Sequence, residues 1–221
     1  MQSLTEIQKK LNGINPSTKI LAVSKFQPAE KIRGLYQQGQ RLFGENYVQE
    51  ALEKQRALSD LQIQWHDIGR LQKNKVKLVL GHFSLIHSVD ALELAQAIDQ
   101  KAKQQNIQQA ILLQLNLANE QSKGGFSEEN LLDSTALLDT MAGLKNIEIH
   151  GLMTMPPLAE DPKQSRPYFQ RLRKLKDQLQ KRWPTLTELS MGTSSDYLVA
   201  AEEGATMVRL GTMLFGERPH Q

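Results

Sequence analysis

The strongest constraint on the fold is a regular alternation of short apolar runs with segments of helical periodicity. Eight runs have the length and composition of buried strands. They are Lys19–Lys25, Arg41–Asn46, Gln64–Gly69, Phe83–Val89, Ala110–Leu117, Ile147–Met155, Glu188–Gly192 and Thr206–Gly211. Strands that alternate with helices predict an α/β protein with a parallel sheet. Eight units without a long linker favour a closed (β/α)8 barrel of the TIM type over an open doubly wound sheet. We expect one domain over residues 1–221, with an extra N-terminal helix at Leu4–Leu11.

Capping residues predict where several helices begin and end. Asp90, with Glu93 in capping-box register, predicts the start of a helix whose apolar positions run from Ala91 to Ala102. Ser127 is expected to open another helix and Gly143 to close it. Two more helices are predicted, one with Phe169, Leu172, Lys176 and Leu179 on one side and one over Asp196–Glu203, ending at Gly204.

Composition excludes several classes of function. The chain has no cysteine, which rules out disulfides, thiolate catalysis and sulfur-ligated metals. No apolar stretch is long enough to span a bilayer and the N-terminus lacks a leader pattern, so we expect a cytoplasmic protein without a membrane partner. The five histidines are scattered, with no pair at metal-ligand spacing.

The net charge of +3 is too small to indicate nucleic acid. The basic residues of one helix are interpreted as a solvated face, with nucleic-acid or partner binding as the alternative: Arg171, Arg173, Lys174, Lys176, Lys181 and Arg182.

Polar residues follow the predicted strands at the end where barrels of this type carry their active sites. Lys25 ends the first strand, and a lysine amine that is desolvated there can become nucleophilic. Asn46 and His66 belong to the second and third strands. Arg209 lies inside the apolar run Met207–Leu210, and a buried arginine needs a partner.

Two loops near the C-terminus have the composition of phosphate-binding turns. Ser190-Met191-Gly192-Thr193-Ser194 precedes a predicted helix, and Gly211-Thr212 follows the last strand. Backbone N–H groups at such positions attract anions, and barrels commonly bind phosphate after strands seven and eight. Plain helix capping by Ser194 or Ser195 is the alternative.

An amine, a phosphate cradle and a buried cation on one face suggest pyridoxal 5′-phosphate (PLP). Lys25 would form a covalent aldimine with PLP, the two loops would bind its phosphate, and Arg209 would face the pyridine nitrogen. Arginine stays protonated and so leaves that nitrogen unprotonated. A neutral pyridine is a poor electron sink, which disfavours transamination and suits racemisation or carriage of the cofactor.

Several motifs resemble those of the pyridoxal phosphate homeostasis protein family. They are Leu21–Lys25, Phe43–Glu50, Trp65–Gly69, Leu71–Lys75, His87–Asp90, Gly151–Met153, Leu189–Gly192, Glu203–Thr212 and Phe215-Gly216. The resemblance implies the barrel domain of alanine racemase (fold type III) without its second domain. It also implies cofactor binding by Lys25, Arg209, Gly192, Ser194, Gly211 and Thr212, with Asn46 and His66 nearby. Ser190 and Thr193 complete our set of candidate residues; Thr193 stands where the family often has methionine.

The resemblance implies a role in PLP homeostasis without robust catalysis, affecting vitamin B6 and amino-acid balance. PLP-dependent apoenzymes are the expected recipients, and a monomer is expected because the racemase dimer relies on the second domain. Two enzymatic alternatives stay open. One is an amino-acid racemase that uses His66 or Tyr47 as its second base. The other is an aldolase that uses Lys25 without a cofactor.

Overall fold

The computed structural model describes residues 2–120 and 123–216 and contains a closed barrel of eight parallel strands. The strands are β1 (Lys19–Val23), β2 (Leu42–Glu45), β3 (Gln64–Asp67), β4 (Leu85–Val89), β5 (Gln109–Leu115), β6 (Ile147–Thr154), β7 (Glu188–Ser190) and β8 (Met207–Leu210). Each strand pairs with the next along the chain, and β8 closes the barrel by pairing in parallel with β1, where Leu21 lies opposite Arg209. The predicted (β/α)8 barrel is confirmed.

Helices follow the strands and cover the outside of the barrel. They are α1 (Leu4–Asn12), α2 (Ala29–Gln37), α3 (Val48–Ala57), α4 (Val76–Val79), α5 (Leu92–Gln105), α6 (Glu128–Asp133), α7 (Thr135–Ala142), α8 (Arg166–Leu179), α9 (Tyr197–Glu202) and α10 (Thr212–Phe215). The extra N-terminal helix is α1, which begins with a capping box between Ser3 and Glu6. Within the described part of the chain, no helix is long and apolar enough to cross a membrane.

Alternate residues of each strand face two separate apolar cores. The larger core lies between the barrel and its helices and includes Phe43 and Trp65, whose ring centroids are 5.9 Å apart. A smaller cluster comes from five different strands: Leu21, Leu85, Leu112, Met153 and Met207. Strand periodicity places this small cluster inside the barrel, because successive residues point to opposite faces. The barrel interior is therefore packed, as is usual for this fold.

Three predicted details of the helices were wrong. The capping box of Asp90 and Glu93 does not form: Ala91 occupies the N-cap position without a side-chain hydrogen bond. The helix predicted between Ser127 and Gly143 is interrupted at Ser134, whose side chain accepts a hydrogen bond from the Leu137 N–H and so starts α7. The buried side of α8 contains Leu175 rather than Lys176. Its buried residues are Phe169, Leu172, Leu175 and Leu179.

Candidate functional site

The candidate site residues lie at the carboxyl ends of five strands that are neighbours around the barrel. In order, these strands are β7, β8, β1, β2 and β3. Ser190 and Arg209 belong to β7 and β8, and His66 belongs to β3. Asn46 directly follows β2 and Lys25 lies two residues after β1, because these strands end earlier than the sequence predicts. The fold thus places all of these residues along one arc of the barrel end.

The Lys25 segment turns sharply where β1 ends. Lys25 is partly buried, and Phe26, the next residue, has a φ of 62°. This left-handed conformation is uncommon for a residue other than glycine. Phe26 packs its ring against Tyr47 with a centroid distance of 5.2 Å, and its N–H donates to Glu50 Oε1 at 2.6 Å. The backbone on the C-terminal side of Lys25 is therefore fixed by contacts with the next strand-to-helix segment.

Arg209 is buried and donates hydrogen bonds to neutral acceptors. Its Nη1 donates to the carbonyl and hydroxyl oxygens of Ser190, each at 2.7 Å, and its Nη2 donates to the Thr154 carbonyl at 2.9 Å. Burial lowers the pKa of Arg209 to about 10, and the negative charge of Asp196 opposes this decrease. The guanidinium is still protonated at neutral pH. The partner expected for a buried Arg209 is thus a set of oxygen atoms on β6 and β7.

A chain of hydrogen bonds connects Arg209 to two histidines. His87 Nδ1 lies 2.9 Å from Ser190 Oγ, and His87 Nε2 lies 2.9 Å from His66 Nδ1. Burial lowers the pKa of His66 to about 4. Burial also lowers the pKa of His87, with the neighbouring His66 and Arg209 adding to the effect. Both imidazoles are therefore neutral at neutral pH.

The loop after β7 has a shape that requires glycine. Gly192 has a φ of +91°, and a Cβ there would lie 2.5 Å from Ala200 Cβ. Asp196 Oδ1 accepts hydrogen bonds from the Thr193 N–H at 2.6 Å and from the Thr193 hydroxyl at 3.1 Å. Asp196, rather than Ser194 or Ser195, is the N-cap residue of α9. Ser194 is partly buried and lies between the two bonded residues.

The loop after β8 lies beside the end of β1. Gly211 is the N-cap residue of α10, and a Cβ there would meet the Val23 carbonyl oxygen at 3.5 Å. Thr212, the first residue of this helix, is exposed. The Arg209 N–H donates to the Gly192 carbonyl at 2.9 Å and so connects this segment to the loop after β7. The loop after β8 therefore borders the strand that precedes Lys25, and the loop after β7 is bonded to β8, the next strand around the barrel.

Asn46 contributes a buried acceptor at the same end of the barrel. Its Oδ1 is buried and has no hydrogen-bond partner among residues 2–120 and 123–216. Buried polar atoms are nearly always hydrogen-bonded, so such an atom requires an explanation. Its backbone also approaches the segment that follows β3 closely, because a Cβ on Gly69 would lie 2.0 Å from the Asn46 carbonyl oxygen.

Sequence reasoning did not identify three parts of the site. Thr154 and Asp196 hold Arg209 and the loop after β7, and Lys54 bonds with the β1 end from helix α3. Asp196 had a local signal, because an acidic residue three positions after Thr193 can bond back to it. The other two contacts join residues far apart in the sequence, and no local pattern reports them.

The alanine racemase N-terminal domain family matches residues 3–219 of the chain. A pyridoxal phosphate homeostasis protein from Aquifex aeolicus is 49% identical over 203 residues, covering 91% of this chain and 88% of that protein. The chain belongs to the pyridoxal phosphate homeostasis protein family. A second member, from Vibrio alginolyticus, is 37% identical and covers 96% of this chain and 92% of that protein.

Solved structures support the same family and the same fold. PipY from Synechococcus elongatus, solved with PLP bound, is 40% identical with a TM-score of 0.85. The match covers 95% of this chain and 100% of PipY. Alanine racemase from Clostridium difficile is 16% identical with a TM-score of 0.75, covering 99% of this chain and 58% of the racemase. At that identity the likeness shows the barrel fold alone.

Proposed function

We propose that this chain binds PLP, holds it as a Schiff base on Lys25 and serves in the intracellular homeostasis of the cofactor. The observation that carries the proposal is the arc of residues over five neighbouring strands. It combines an amine, a buried guanidinium and a glycine loop of fixed shape. The 40% identity to PipY, whose structure contains PLP, supports the same assignment.

The residues of the arc fit the groups of the cofactor. The loops at Gly192–Ser194 and Gly211–Thr212 would bind its phosphate through backbone N–H groups and hydroxyls. Because both donors of Thr193 are already bonded to Asp196, we assign the hydroxyl contact in the first loop to Ser194. The buried Oδ1 of Asn46 is available to a donor on the ligand. His66 and Ser190, on β3 and β7, are connected through His87 and are proposed to lie near the bound cofactor.

Arg209 is proposed to face the pyridine nitrogen of PLP. When bound, the cofactor would supply a carbonyl for the amine and an electron-withdrawing ring. Arg209 stays protonated, so it donates to that nitrogen and keeps it unprotonated. The ring is then a weak electron sink, which disfavours transamination and is compatible with holding and delivering PLP; the D-isomer assay below distinguishes this role from racemisation. We propose PLP-dependent apoenzymes as recipients of the cofactor.

We propose that the chain acts as a cytoplasmic monomer built from one barrel domain, without a nucleic-acid or membrane partner. The contacts of the basic helix support its interpretation as a structural and solvated face. Arg171 pairs with Glu128 at 2.7 Å and donates to the Leu117 carbonyl at 2.8 Å, and Arg182 pairs with Asp139. These contacts occupy two of the cations that a nucleic acid would need.

Borohydride reduction followed by peptide mapping tests the attachment site. The purified protein with bound PLP should absorb in the visible range and give one reduced adduct, on Lys25. Lys25→Ala should lose the visible band and the adduct. Lys19→Ala is the matched control, because Lys19 lies at the opposite end of β1 in an ion pair with Glu188. An adduct on another residue, or a colourless wild-type protein, contradicts the proposal; the second result would favour a cofactor-free aldolase.

Two further assays test the role in homeostasis. Mixing the loaded protein with a PLP-dependent apoenzyme should restore the activity of that enzyme. Incubation with L-alanine and other L-amino acids should give no D-isomers. Efficient formation of D-isomers would show a racemase instead, with Tyr47 as a candidate base since His66 is buried and bonded to His87.

A further inference from the structure

A buried ion cluster lies directly behind the Lys25 segment. We call it the Lys54 cluster, and it consists of Ser24, Glu45, Glu50 and Lys54. Lys54 Nζ donates to Glu45 Oε1 at 2.8 Å, to Glu50 Oε1 at 2.6 Å and to the Ser24 carbonyl at 2.6 Å. The Ser24 hydroxyl donates to Glu45 Oε1 at 2.6 Å. The cluster joins β2 and α3 to the end of β1.

All hydrogen-bond donors of the Lys54 amine are used in this arrangement. A protonated lysine has three N–H donors, and each of them has an acceptor in the Lys54 cluster. The side chain of Lys54 is 8% exposed and that of Glu45 is fully buried. A buried lysine in this arrangement is a structural group, because Glu45, Glu50 and the Ser24 carbonyl accept its three hydrogen bonds. It is therefore not a rival of Lys25 as a nucleophile.

The cluster makes hydrogen bonds to the residues on both sides of Lys25 in the sequence, Ser24 and Phe26. On the N-terminal side it holds the carbonyl and the hydroxyl of Ser24. On the C-terminal side the Glu50 carboxylate accepts the N–H of Phe26 at 2.6 Å. One carboxylate oxygen of Glu50 thus bridges Lys54 and the backbone that follows Lys25. The amine-bearing residue lies between two positions that the same ion cluster fixes.

The backbone at Phe26 is strained and has to be held by its surroundings. Phe26, with its φ of 62°, adopts a left-handed conformation that is sterically unfavourable for a residue other than glycine. Such strained residues persist where the surrounding structure determines them, and they concentrate at functional sites. A cluster that only attached α3 to the barrel would not require hydrogen bonds on both sides of one residue.

We propose that Lys54 is a positioning residue: its cluster holds the strained turn at Phe26 and so directs the Lys25 amine toward the carbonyl that it attacks. This inference rests on the proposed function, because it assumes that Lys25 forms the Schiff base. The inference adds Lys54, which lies on α3 outside the ring of strands, to the residues of the site. Lys54 would control the covalent step without contacting the ligand.

The test separates the covalent step from binding. The proteins compared are wild type, Lys54→Met and the double variant Glu45→Gln/Lys54→Met, which leaves no unpaired charge at Glu45. Growth of the visible band after mixing apoprotein with PLP gives the rate of Schiff-base formation. Calorimetry with pyridoxine 5′-phosphate, which has the ring and phosphate but no aldehyde, gives the affinity without the covalent step. Lys19→Met is the control, because it breaks an ion pair at the other end of the same strand.

We expect the rate of Schiff-base formation to fall by roughly ten- to a hundredfold in both Lys54 proteins, as for a reacting group displaced by about 1 Å. The affinity for pyridoxine 5′-phosphate should change by less than about twofold, and Lys19→Met should match the wild type in both assays. A folded double variant that forms the Schiff base at the wild-type rate overturns the positioning role. An equal loss of pyridoxine 5′-phosphate affinity also overturns it, because it would indicate general damage to the site. A wild-type protein that forms no Schiff base on Lys25 refutes the proposed function itself, and this inference with it.

Discussion

Asp67 provides a quantitative test of the electrostatics behind the barrel wall. It ends β3, is 2% exposed, and its Oδ2 has no partner in the described part of the chain. Its Oδ1 accepts one hydrogen bond, from the Gly69 N–H at 3.2 Å. Burial raises the pKa of Asp67 from 3.8 to about 7. The folded state therefore favours the neutral carboxyl, and ionisation of Asp67 works against folding.

The sign of the pH dependence follows from this raised pKa. Below pH 3.8 the carboxyl is neutral in the folded and unfolded states, so it adds no penalty. As the pH rises toward 7 the unfolded chain ionises first, and the folded state loses about 4 kcal/mol relative to it. Asp67→Asn resembles the neutral carboxyl and keeps the acceptor for Gly69. We expect this variant to be more stable than wild type by about 2 to 4 kcal/mol at about pH 8, the lower value allowing for an unpaired amide hydrogen.

Urea unfolding of the two apoproteins between about pH 4 and pH 8 measures the difference. It should be under about 1 kcal/mol at the acidic end and grow as the pH rises. Asp60→Asn is the control with the opposite sign, because the hydrogen bond from Arg33 lowers the pKa of Asp60, which lies on the surface. An Asp67→Asn protein that is less stable than wild type at about pH 8, or a difference that does not depend on pH, would refute the reasoning.

Two further predictions concern the barrel interior and the loop after β7. Because burial lowers the pKa of His66, this residue adds no penalty above pH 6.5, and the folded state loses about 3 kcal/mol relative to the unfolded chain as the pH falls toward 4. In urea unfolding, the free energy of unfolding of Asp67→Asn should therefore decrease on acidification, and this decrease should be smaller in Asp67→Asn/His66→Gln. Equal decreases in the two proteins would contradict the lowered pKa of His66. Gly192→Ala should destabilise the apoprotein by about 2 to 4 kcal/mol, from its φ of +91° and the close Ala200 Cβ, whereas Gly211→Ala, with no contact under 3.5 Å, should stay within about 0.5 kcal/mol of wild type. Equal effects of the two alanines in the same assay would show that the loop after β7 does not require glycine.

The barrel could be predicted because its signal is local and repeated. Each strand is a short apolar run, and eight such runs with intervening helices leave few arrangements of a parallel sheet. The exact ends of the strands were less predictable. All except β4 stop one or two residues before the predicted end, because the chain turns into the site loops there. Lys25 and Asn46 consequently belong to loops although their sequence context is that of strands.

The sequence predicted that the candidate residues lie at one end of the barrel, but it did not predict the contacts between them. Arg209 could be selected as a candidate because it is a charged residue in an apolar run. Its hydrogen-bond partners, Ser190 and Thr154, lie on other strands and could not be predicted from that run. The capping box at Asp90 failed for a related reason. A Cβ on Gly124 would lie 2.2 Å from the Asp90 carboxylate, so that side chain packs on a loop distant in sequence. Such contacts depend on packing between elements, which no local spacing encodes.

The closure of the barrel between β8 and β1 also determines when the site can exist during synthesis. The amine on the Lys25 segment leaves the ribosome early, whereas Arg209 and the two glycine loops are among the later parts to be made. Chains are made at roughly 5 to 20 residues per second, so a partly synthesised chain carries Lys25 without Arg209 and the two glycine loops for about ten to forty seconds. The proposed capture of an aldehyde at Lys25 would then follow the pairing of the first strand with the last. Acquisition of the ligand by a growing chain would accordingly report that the ring of strands has closed.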